Sequence, residues 1–474
     1  MRIREWVGRL GELSCAVVGL GISNLPLVDF LMSKGARITA RDRKGREEFQ
    51  DVADALERRG IRLICGEDYL CGLDEDVIFR SPGLRPDLPA FAEAVERGAV
   101  LTSEMELFLE LTPTTVFGIT GSDGKTTTTT LTGKMLQAQA KRDGTHRVFV
   151  GGNIGEPLLP RVGEMSEGDL SVAELSSFQL MRVARSPRRA AVTNLSPNHL
   201  NWHTDMEEYI RAKTNICSHA PCELLVTNAD NALTRELGRG FSGKVTWFSS
   251  TLSSWEDFCG LVKEGDGAVY LKRGVITFSD GERELPLLDV KRIRVPGRHN
   301  VENYMTAIAL TWDLVSADVI GEVADAFRGV RHRLEWVRQV HGVAYYNSSI
   351  DSSPSRTQAA LSALSQKPIV ICGGCDKNLP FEPLASALCE RARAVVLTGE
   401  AAPKIRAALN KEADVIDGRF PIYEAPVFAD AVKLARDVAR EGDTVLLSPA
   451  CTSFDAFSNF EERGDAFCRI VETF

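Results

Sequence analysis

The sequence predicts an α/β protein built from three successive strand–turn–helix units, and three observations carry that expectation. Short, nearly all-apolar runs recur at CAVVGLG (15–21), VFGIT (116–120) and PIVICGG (368–374), the pattern of strands buried on both faces. Glycines cluster at or just after each run, where the chain must turn before a helix. The chain's 474 residues exceed what one hydrophobic core supports, so about two to four domains are expected.

The elements follow in order. After CAVVGLG, Ser23 is expected to cap a helix with Pro26 in its first turn and Leu27, Phe30 and Leu31 at helical spacing. Gly35 ends that helix, and ARITARD returns as a strand terminating at Asp42, which completes a right-handed βαβ unit. Further strands are expected at Val77–Arg80 and Val100–Thr102, and Thr112-Pro113 punctuates the chain, so the first boundary falls near Leu111. The second unit opens with VFGITGSDGKTTTTTLTGKML and continues with strands at Leu170–Ala173 and Ala190–Asn194. Between about 241 and 295 the pieces KVTWF, GAVYL and VITF read as a β excursion from the core, to which a helix near Asn300 returns. A third unit begins around Leu334, with strand-like HGVAYYN, PIVICGG, AVVLTG and DTVLLSP alternating with helices.

Composition removes several classes. With 44% hydrophobic and 26% charged residues the chain reads as globular throughout. A net charge of −9 opposes a nucleic-acid-coating surface, because neutralising phosphates needs a basic footprint. The eleven cysteines are too scattered for a stapled secreted scaffold, and most, such as Cys15, read as small buried hydrophobes in a reducing compartment. Arg2, Arg4, Glu5, Arg9 and Glu12 interrupt any signal-like apolar core, and no stretch reaches the roughly 18 apolar residues of a membrane span. The cytoplasm is the expected compartment.

The strongest local signal is GITGSDGKTTTT, Gly118 to Thr129. A glycine-rich turn between strand and helix lets backbone N–H groups approach an anion, and the helix N-terminus adds its positive dipole end. Lys125 would reach the β- and γ-phosphates and the Thr126 hydroxyl would ligate Mg²⁺. A strict Walker A loop would have glycine at position 119, where this chain has isoleucine; the glycines stand at 118, 121 and 124. The plain alternative is a glycine-rich turn before a threonine-rich helix. Threonine forms helices poorly, and five in a row at a helix start call for a ligand.

The remaining motifs are weaker one by one. GLGISN supplies Gly19 and Gly21 but has Asn24 at the third fingerprint position, with Asp42 where a ribose-binding acid is expected; a tight turn and a nicotinamide site fit equally. ELSSFQ puts Glu174 after a strand, where a Mg²⁺-binding carboxylate would lie, though a lone glutamate there is usually just solvated. His199 and His203 in LSPNHLNWH have i, i+4 spacing, but no glutamate accompanies them as a zinc-protease motif demands, so zinc is rejected. Cys372 and Cys375 form a C-x-x-C that reads better as a turn than as a redox pair. GRHN (297–300) and RHRLE (331–335) are polar clusters at expected domain edges, where ligands tend to bind.

Taken in order, with GGNIG (151–155), RAKTNI (around Lys213), NADN (near 230), GRHNVEN and the C-terminal SPACTSFDAFSNFEERG, these segments resemble the Mur ligase family, and within it the branch that adds D-glutamate. That family's phosphate loop has the TGxxGKT form, which accounts for the displaced glycine. The resemblance implies an N-terminal Rossmann-like domain over 1–111 that binds the UDP part of the substrate. It further implies a central P-loop-type ATP-binding domain over 112–332 and a C-terminal Rossmann-like domain over 333–474 that brings the amino acid.

The resemblance also implies site residues. Ile22, Ser23, Ser81, Pro82 and Gly83 would lie near the diphosphate and Asp42 near uracil, with Asn153 and Ser176 on the same substrate. Gly121, Ser122, Asp123, Gly124, Lys125, Thr126, Thr127, Asn300, Asn303 and Arg333 would surround ATP. Thr126 and Glu174 would hold one Mg²⁺, and His199 and Lys213 a second; Lys213 would be carbamylated, since an ammonium cannot ligate a cation. Lys125, Glu174, His199 and Lys213 would carry the chemistry. Ser352, Lys377, Ser453, Phe454 and Phe460 would form the D-glutamate site. The implied reaction, in peptidoglycan precursor synthesis, phosphorylates UDP-N-acetylmuramoyl-L-alanine with ATP and joins it to D-glutamate; a monomer with small-molecule partners is expected.

Two departures stand out. NSSIDSS (347–353) puts Ser348 where the family usually has aspartate, with Asp351 as a candidate replacement, and Asp123 stands where asparagine is common. Rivals within the family add L-alanine, lysine or diaminopimelate, or extend folates. GGCDKNL carries Lys377 and no arginine, which favours D-glutamate. Outside it, a non-catalytic nucleotide sensor and, on GLGISN alone, a dehydrogenase remain alternatives.

Overall fold

The computed structural model describes residues 6–21, 23–200, 202–376 and 379–474. The chain divides into two compact units, Met1–Asp289 with Glu302–Val323 and Val290–Val301 with Ala324–Phe474. Among the described residues the strands form three largely parallel sheets, so the expected α/β class holds.

The first unit carries two sheets. One comprises β1 (Ser14–Val18), β2 (Arg37–Asp42), β3 (Arg62–Cys65), β4 (Val77–Arg80) and β5 (Val100–Thr102), all parallel in the order β3-β2-β1-β4-β5. Strand order reverses at β1, so the loops after β1 and β4 flank a crevice at the strands' C-terminal ends, where such sheets bind ligands. The other sheet comprises β6 (Thr115–Thr120), β7 (Val148–Gly152), β8 (Leu170–Glu174), β9 (Arg189–Val192), β10 (Leu224–Asn228), β11 (Lys244–Ser249), β12 (Gly267–Lys272), β13 (Val275–Ser279) and β14 (Glu284–Asp289). Their order is β14-β13-β12-β11-β10-β9-β6-β8-β7, with β6 between β8 and β9 at a second reversal point.

Five helices of this unit matter below: α1 (Asn24–Ser33), α2 (Glu104–Leu111), α3 (Lys125–Asp143), α4 (Ser177–Leu180) and α5 (Met206–Thr214). A continuous apolar core joins Val17 and Phe79 of the first sheet to Phe149, Ala190 and Val192 of the second. Burying each such side chain contributes about 1.5–3 kcal/mol.

The second unit holds β15 (Glu335–Val340), β16 (Val343–Asn347), β17 (Ile369–Gly373), β18 (Ala394–Thr398), β19 (Ile422–Glu424) and β20 (Thr444–Leu447), in the order β15-β16-β20-β17-β18-β19. Only β15 is antiparallel among the described pairings of this sheet.

Two expectations are corrected. Residues 244–289 do not leave the central core: β11 pairs in parallel with β10, β12 in parallel with β11, and β13 and β14 extend the same sheet antiparallel. Their interior positions, such as Trp247, Phe248 and Val269, are buried, so the short turns between them mark a sheet margin. Ser23 stands at the N-terminus of α1 but makes no side-chain cap; its backbone is already helical, which leaves its hydroxyl out of capping position. The side chain that ties this turn is Asn24, whose Nδ2 donates to Gly19 O at 2.8 Å. All eleven cysteines are free, and no helix among the described residues is long and apolar enough to cross a membrane.

Candidate active site

The loop after β6 is built around two glycines that nothing larger could replace. Gly121 has φ +150, and a Cβ there would lie 1.9 Å from Thr193 Oγ1; Gly124 has φ +80, and its Cβ would lie 2.3 Å from Asn303 Oδ1. Neighbouring strand ends fasten the loop. Asp123 N–H donates to Asn194 Oδ1 at 2.9 Å, and Thr193 Oγ1 donates to Asp123 O at 2.6 Å. Ser122 Oγ pairs with Tyr209 OH at 2.8 Å and donates to Ser196 O at 2.9 Å. α3 starts at Lys125, so its first N–H groups face the loop with the positive end of the dipole. Of the threonines, Thr127, Thr128 and Thr129 are buried, and Thr128 Oγ1 donates to Asn303 Oδ1 at 3.3 Å. Lys125 Nζ folds back onto Gly121 O and Ser122 O at 2.8 and 2.9 Å.

Glu174 ends β8, beside β6, and is buried. Its Oε1 accepts from Asn153 Nδ2 at 2.8 Å, and its Oε2 is buried with no hydrogen-bond partner among the described residues. Lys213, on the last turn of α5, is also buried; its Nζ donates to Gly121 O at 2.8 Å and Thr120 Oγ1 at 3.2 Å. Burial first, and the Lys125 charge second, hold Lys213 well below the ordinary lysine range. His199 has φ +55, a conformation a histidine tolerates better than most residues, and its ring meets Phe178 edge-on at 5.0 Å. Burial, then Lys125 and Lys213, push its imidazolium pKa down, which favours the neutral ring that ligates cations. Lys125, Glu174, His199 and Lys213 therefore converge on the end of β6. Among the described residues no three His, Cys, Asp or Glu side chains form a ligand cluster, so any cation here would draw on hydroxyl and phosphate oxygens as well.

The substrate-side residues of the first sheet lie on its two crevice loops. Asp42 has both carboxylate oxygens engaged, Oδ2 by Leu20 N–H at 2.7 Å and Oδ1 by Lys44 N–H at 2.9 Å. Ser81–Gly83 follow β4, held by buried Arg80, which donates to Leu84 O at 2.9 Å and across to Phe178 O at 3.2 Å. Ser176 caps α4, accepting from Gln179 N–H at 3.2 Å. Ile22 lies outside the described residues.

The second unit carries the remaining candidates. Asn300 Nδ2 donates to Pro296 O at 2.6 Å. Arg333 closes a tight turn on Val330, and its charge is felt at Asp351. Ser352 follows that aspartate, Ser453 is buried, and Phe460 packs edge-on against His332 at 6.0 Å. Phe454 is 69% exposed, so within its own unit it walls nothing. Lys377 lies outside the described residues. Ser348 Oγ accepts from Leu334 N–H at 3.1 Å. Asp351, also bonded to Ser348, accepts from Ser448 Oγ at 2.8 Å, and burial raises it to about 6. A carboxyl thus remains in this cluster, three residues along the chain. Cys372 is buried with its thiol pushed well up, and Cys375 N–H donates to Thr452 O at 2.9 Å.

Sequence reasoning passed over Thr193, Asn194 and Tyr209, which fasten the glycine loop after β6. The signal was present for two of them: a strand paired beside β6 must end next to its loop, and Thr193 and Asn194 follow β9 directly.

Comparison with known proteins closes the identification. Three family models match in chain order: "Mur ligase MurD-like, N-terminal domain" over 13–103, "Mur ligase middle domain" over 119–311 and "Mur ligase, glutamate ligase domain" over 332–451. The UDP-N-acetylmuramoylalanine–D-glutamate ligase of Clostridium novyi is 45% identical, covering 96% of each chain. That of Acetivibrio thermocellus is 42% identical over 100% of this chain and 99% of its own. Among solved structures, the UDP-N-acetylmuramate–alanine ligase of Thermotoga maritima superposes with a TM-score of 0.55 at 21% identity, covering 97% of this chain and 99% of its own, a likeness of fold. Matched in chain order by three family models that together span most of its length, and by relatives 42–45% identical over nearly all of it, this chain belongs to the Mur ligase family.

Proposed function

We propose that this protein is an ATP-dependent ligase that joins D-glutamate to UDP-N-acetylmuramoyl-L-alanine. Near-full-length identity of 42–45% to D-glutamate ligases supports the substrates. The convergence of Lys125, Glu174, His199 and Lys213 on one phosphate-type loop carries the chemistry. Enzymes of this family draw on ATP and Mg²⁺, and the domain boundaries near 111 and 332 follow from the same reading: UDP side first, ATP in the centre, amino acid last.

The residues fit a hard cation. Glu174 Oε2 is a buried carboxylate oxygen lacking a donor among the described residues, and Thr126 stands in the first turn of α3. Thr126 and Glu174 would hold one Mg²⁺, and His199 with a modified Lys213 a second; bound Mg²⁺ supplies charge neutralisation at the phosphate oxygens. Lys213 fits modification because burial favours its neutral amine, which adds CO₂ to give a carbamate and releases one proton.

The N–H groups at the start of α3 and Lys125 would hold the ATP phosphates in line with the substrate carboxylate. The γ-phosphoryl group moves to that carboxylate, giving ADP and an acyl phosphate. The neutral amine of D-glutamate adds to the acyl carbon, and the tetrahedral adduct expels phosphate and loses a proton. Phosphoryl transfer of this kind rests on positioning and charge stabilisation, so the cations outweigh any nucleophile. Ser352, Lys377, Ser453, Phe454 and Phe460 would receive D-glutamate, and Ser23, Asp42, Ser81, Asn153 and Ser176 the UDP substrate.

The test is to trap the activated carboxylate. With ATP, the UDP substrate and hydroxylamine in place of D-glutamate, a hydroxamate is expected; ADP release with none formed contradicts an acyl phosphate.

A further inference from the structure

One carboxylate ties loop 81–84 and the start of α4, two of the first unit's substrate-side elements, to α5. Glu208 lies in the first turn of α5, five residues before Lys213. Its Oε1 accepts from Arg85 Nη2 at 2.9 Å, and its Oε2 accepts from Arg85 Nη1 at 3.1 Å, a bidentate pair. Oε2 also accepts from Thr204 N–H at 2.9 Å and pairs with His203 Nδ1 at 3.2 Å. The pair is largely withdrawn from water, with side chains 22% and 9% exposed for Arg85 and Glu208.

Each partner leads to a different part of the site. Arg85 follows loop 81–84 directly, and its Nη1 also donates to Trp202 O at 2.7 Å. Trp202 Nε1 returns a bond to Gly83 O at 2.9 Å, so that loop is held from both sides. Glu208 is ionised and can only accept, because Arg85 holds its carboxyl down at about 2. His203 must therefore carry its proton on Nδ1, and its Nε2 accepts from Ser177 Oγ at 2.9 Å. Ser177 adjoins Ser176 and opens α4, whose Phe178 packs on His199. Arg85 also pairs with the exposed Asp87, Nη2 to Oδ2 at 2.7 Å, so without the Glu208 carboxylate it would keep that surface partner but lose its tie to α5, and His203 would lose its fixed tautomer.

Resting on the function proposed above, we propose that Glu208 is a positioning residue. It fixes loop 81–84, which faces the UDP substrate, against the helix and loop that carry Lys213 and His199. Its job is registration: the carboxylate to be phosphorylated must meet the γ-phosphoryl group, and an error of about 1 Å costs on the order of 100-fold in rate. ATP is held by loop 121–124, to which Glu208 makes no bond, so ATP binding is independent of it.

The experiment compares Glu208→Gln, Arg85→Lys and the double variant with the unmodified chain. Turnover is measured against UDP-N-acetylmuramoyl-L-alanine and against ATP, with the Kd of the UDP substrate measured separately by calorimetry. Each single variant is expected to lower kcat/KM for the UDP substrate about 10- to 100-fold while KM for ATP stays within about twofold. The double variant should be no worse than the poorer single one, because the two groups act as a unit. A rise in KM for ATP comparable to the loss for the UDP substrate, or additive losses, overturns the proposal and leaves Glu208 a general stabiliser. Should Glu208→Gln fail to fold by circular dichroism, Arg85→Lys, at the more exposed end, carries the same comparison. If the unmodified chain itself neither binds nor turns over the UDP substrate, the function proposed above fails, an outcome distinct from unchanged kinetics in the variants.

Discussion

Lys125 Nζ and Lys213 Nζ donate to the same acceptor, the Gly121 carbonyl oxygen, each at 2.8 Å. Two ammonium groups on one carbonyl oppose each other's charge, and burial decides which gives way. Lys213 is the buried one and is held well below its usual range, whereas Lys125 lies at the loop where phosphates are expected. On the function proposed above, Lys125 would serve as the cation at the phosphates and Lys213 as the amine open to modification.

Lys125→Ala should abolish ligation while the fold persists. Removing this cation leaves the charge developing on the γ-phosphoryl group unsupported, a loss of about 10²–10³-fold or more in kcat. The check is steady-state turnover beside circular dichroism; near-normal turnover in a folded variant removes the loop from the chemistry.

Lys213→Ala should be inactive and partly rescued by formate or acetate, small carboxylates that refill the oxygen-ligand position a carbamate would occupy. The measurement is turnover against added carboxylate. Failure of rescue, with unmodified mass at Lys213 in the native protein, contradicts the carbamate.

Much of the fold around this site was legible from residue order, and the rest was hidden for physical reasons. Strands such as Val77–Arg80 and Val100–Thr102 emerge with the expected bounds, because a strand buried on both faces must be apolar and must end where turn residues begin. The tight turn after β6 was legible because close packing there demands glycine at 121 and 124. Residues 244–289 misled because a sheet margin built from short strands carries as many turns as an independent β module would. The Arg85–Glu208 pair was invisible, since the residues lie 123 positions apart and charges on a loop and a helix start look like ordinary surface. The Ser23 cap failed because a helix N-terminus can recruit the next side chain, here Asn24, for the turn.

The stability of the first unit should fall as pH rises from about 4.5 to about 7. Glu104 and Glu106 of α2 are buried, and burial raises each to about 7 from 4.5, opposed by the Leu159 N–H at Glu104 and by Arg80 at Glu106. Over that interval the folded chain holds protons the unfolded chain has released, so each carboxyl lowers stability by up to about 1.4 kcal/mol per pH unit. Below the interval both states are protonated, and above it both are ionised. Denaturant midpoints across pH for Glu104→Gln and Glu106→Gln should flatten relative to the parent; superimposable profiles contradict the assignment.

Lys377→Ala should raise the apparent requirement for D-glutamate strongly and leave that for ATP nearly unchanged. D-glutamate presents two carboxylates, and losing a cation from a desolvated carboxylate site costs about 2–5 kcal/mol. Saturation curves for both substrates separate the outcomes, and a collapse of ATP affinity instead would move Lys377 out of the amino-acid site.

The central claim is the substrate pair, and an amino-acid panel tests it most directly. Phosphate release is measured with ATP, Mg²⁺ and UDP-N-acetylmuramoyl-L-alanine in the presence of D-glutamate, L-glutamate, L-alanine, L-lysine or diaminopimelate in turn. D-glutamate alone should drive rapid release, and omitting the UDP substrate should abolish it. Preference for another amino acid would overturn the D-glutamate assignment, and ATP hydrolysis indifferent to both substrates would contradict the ligase itself.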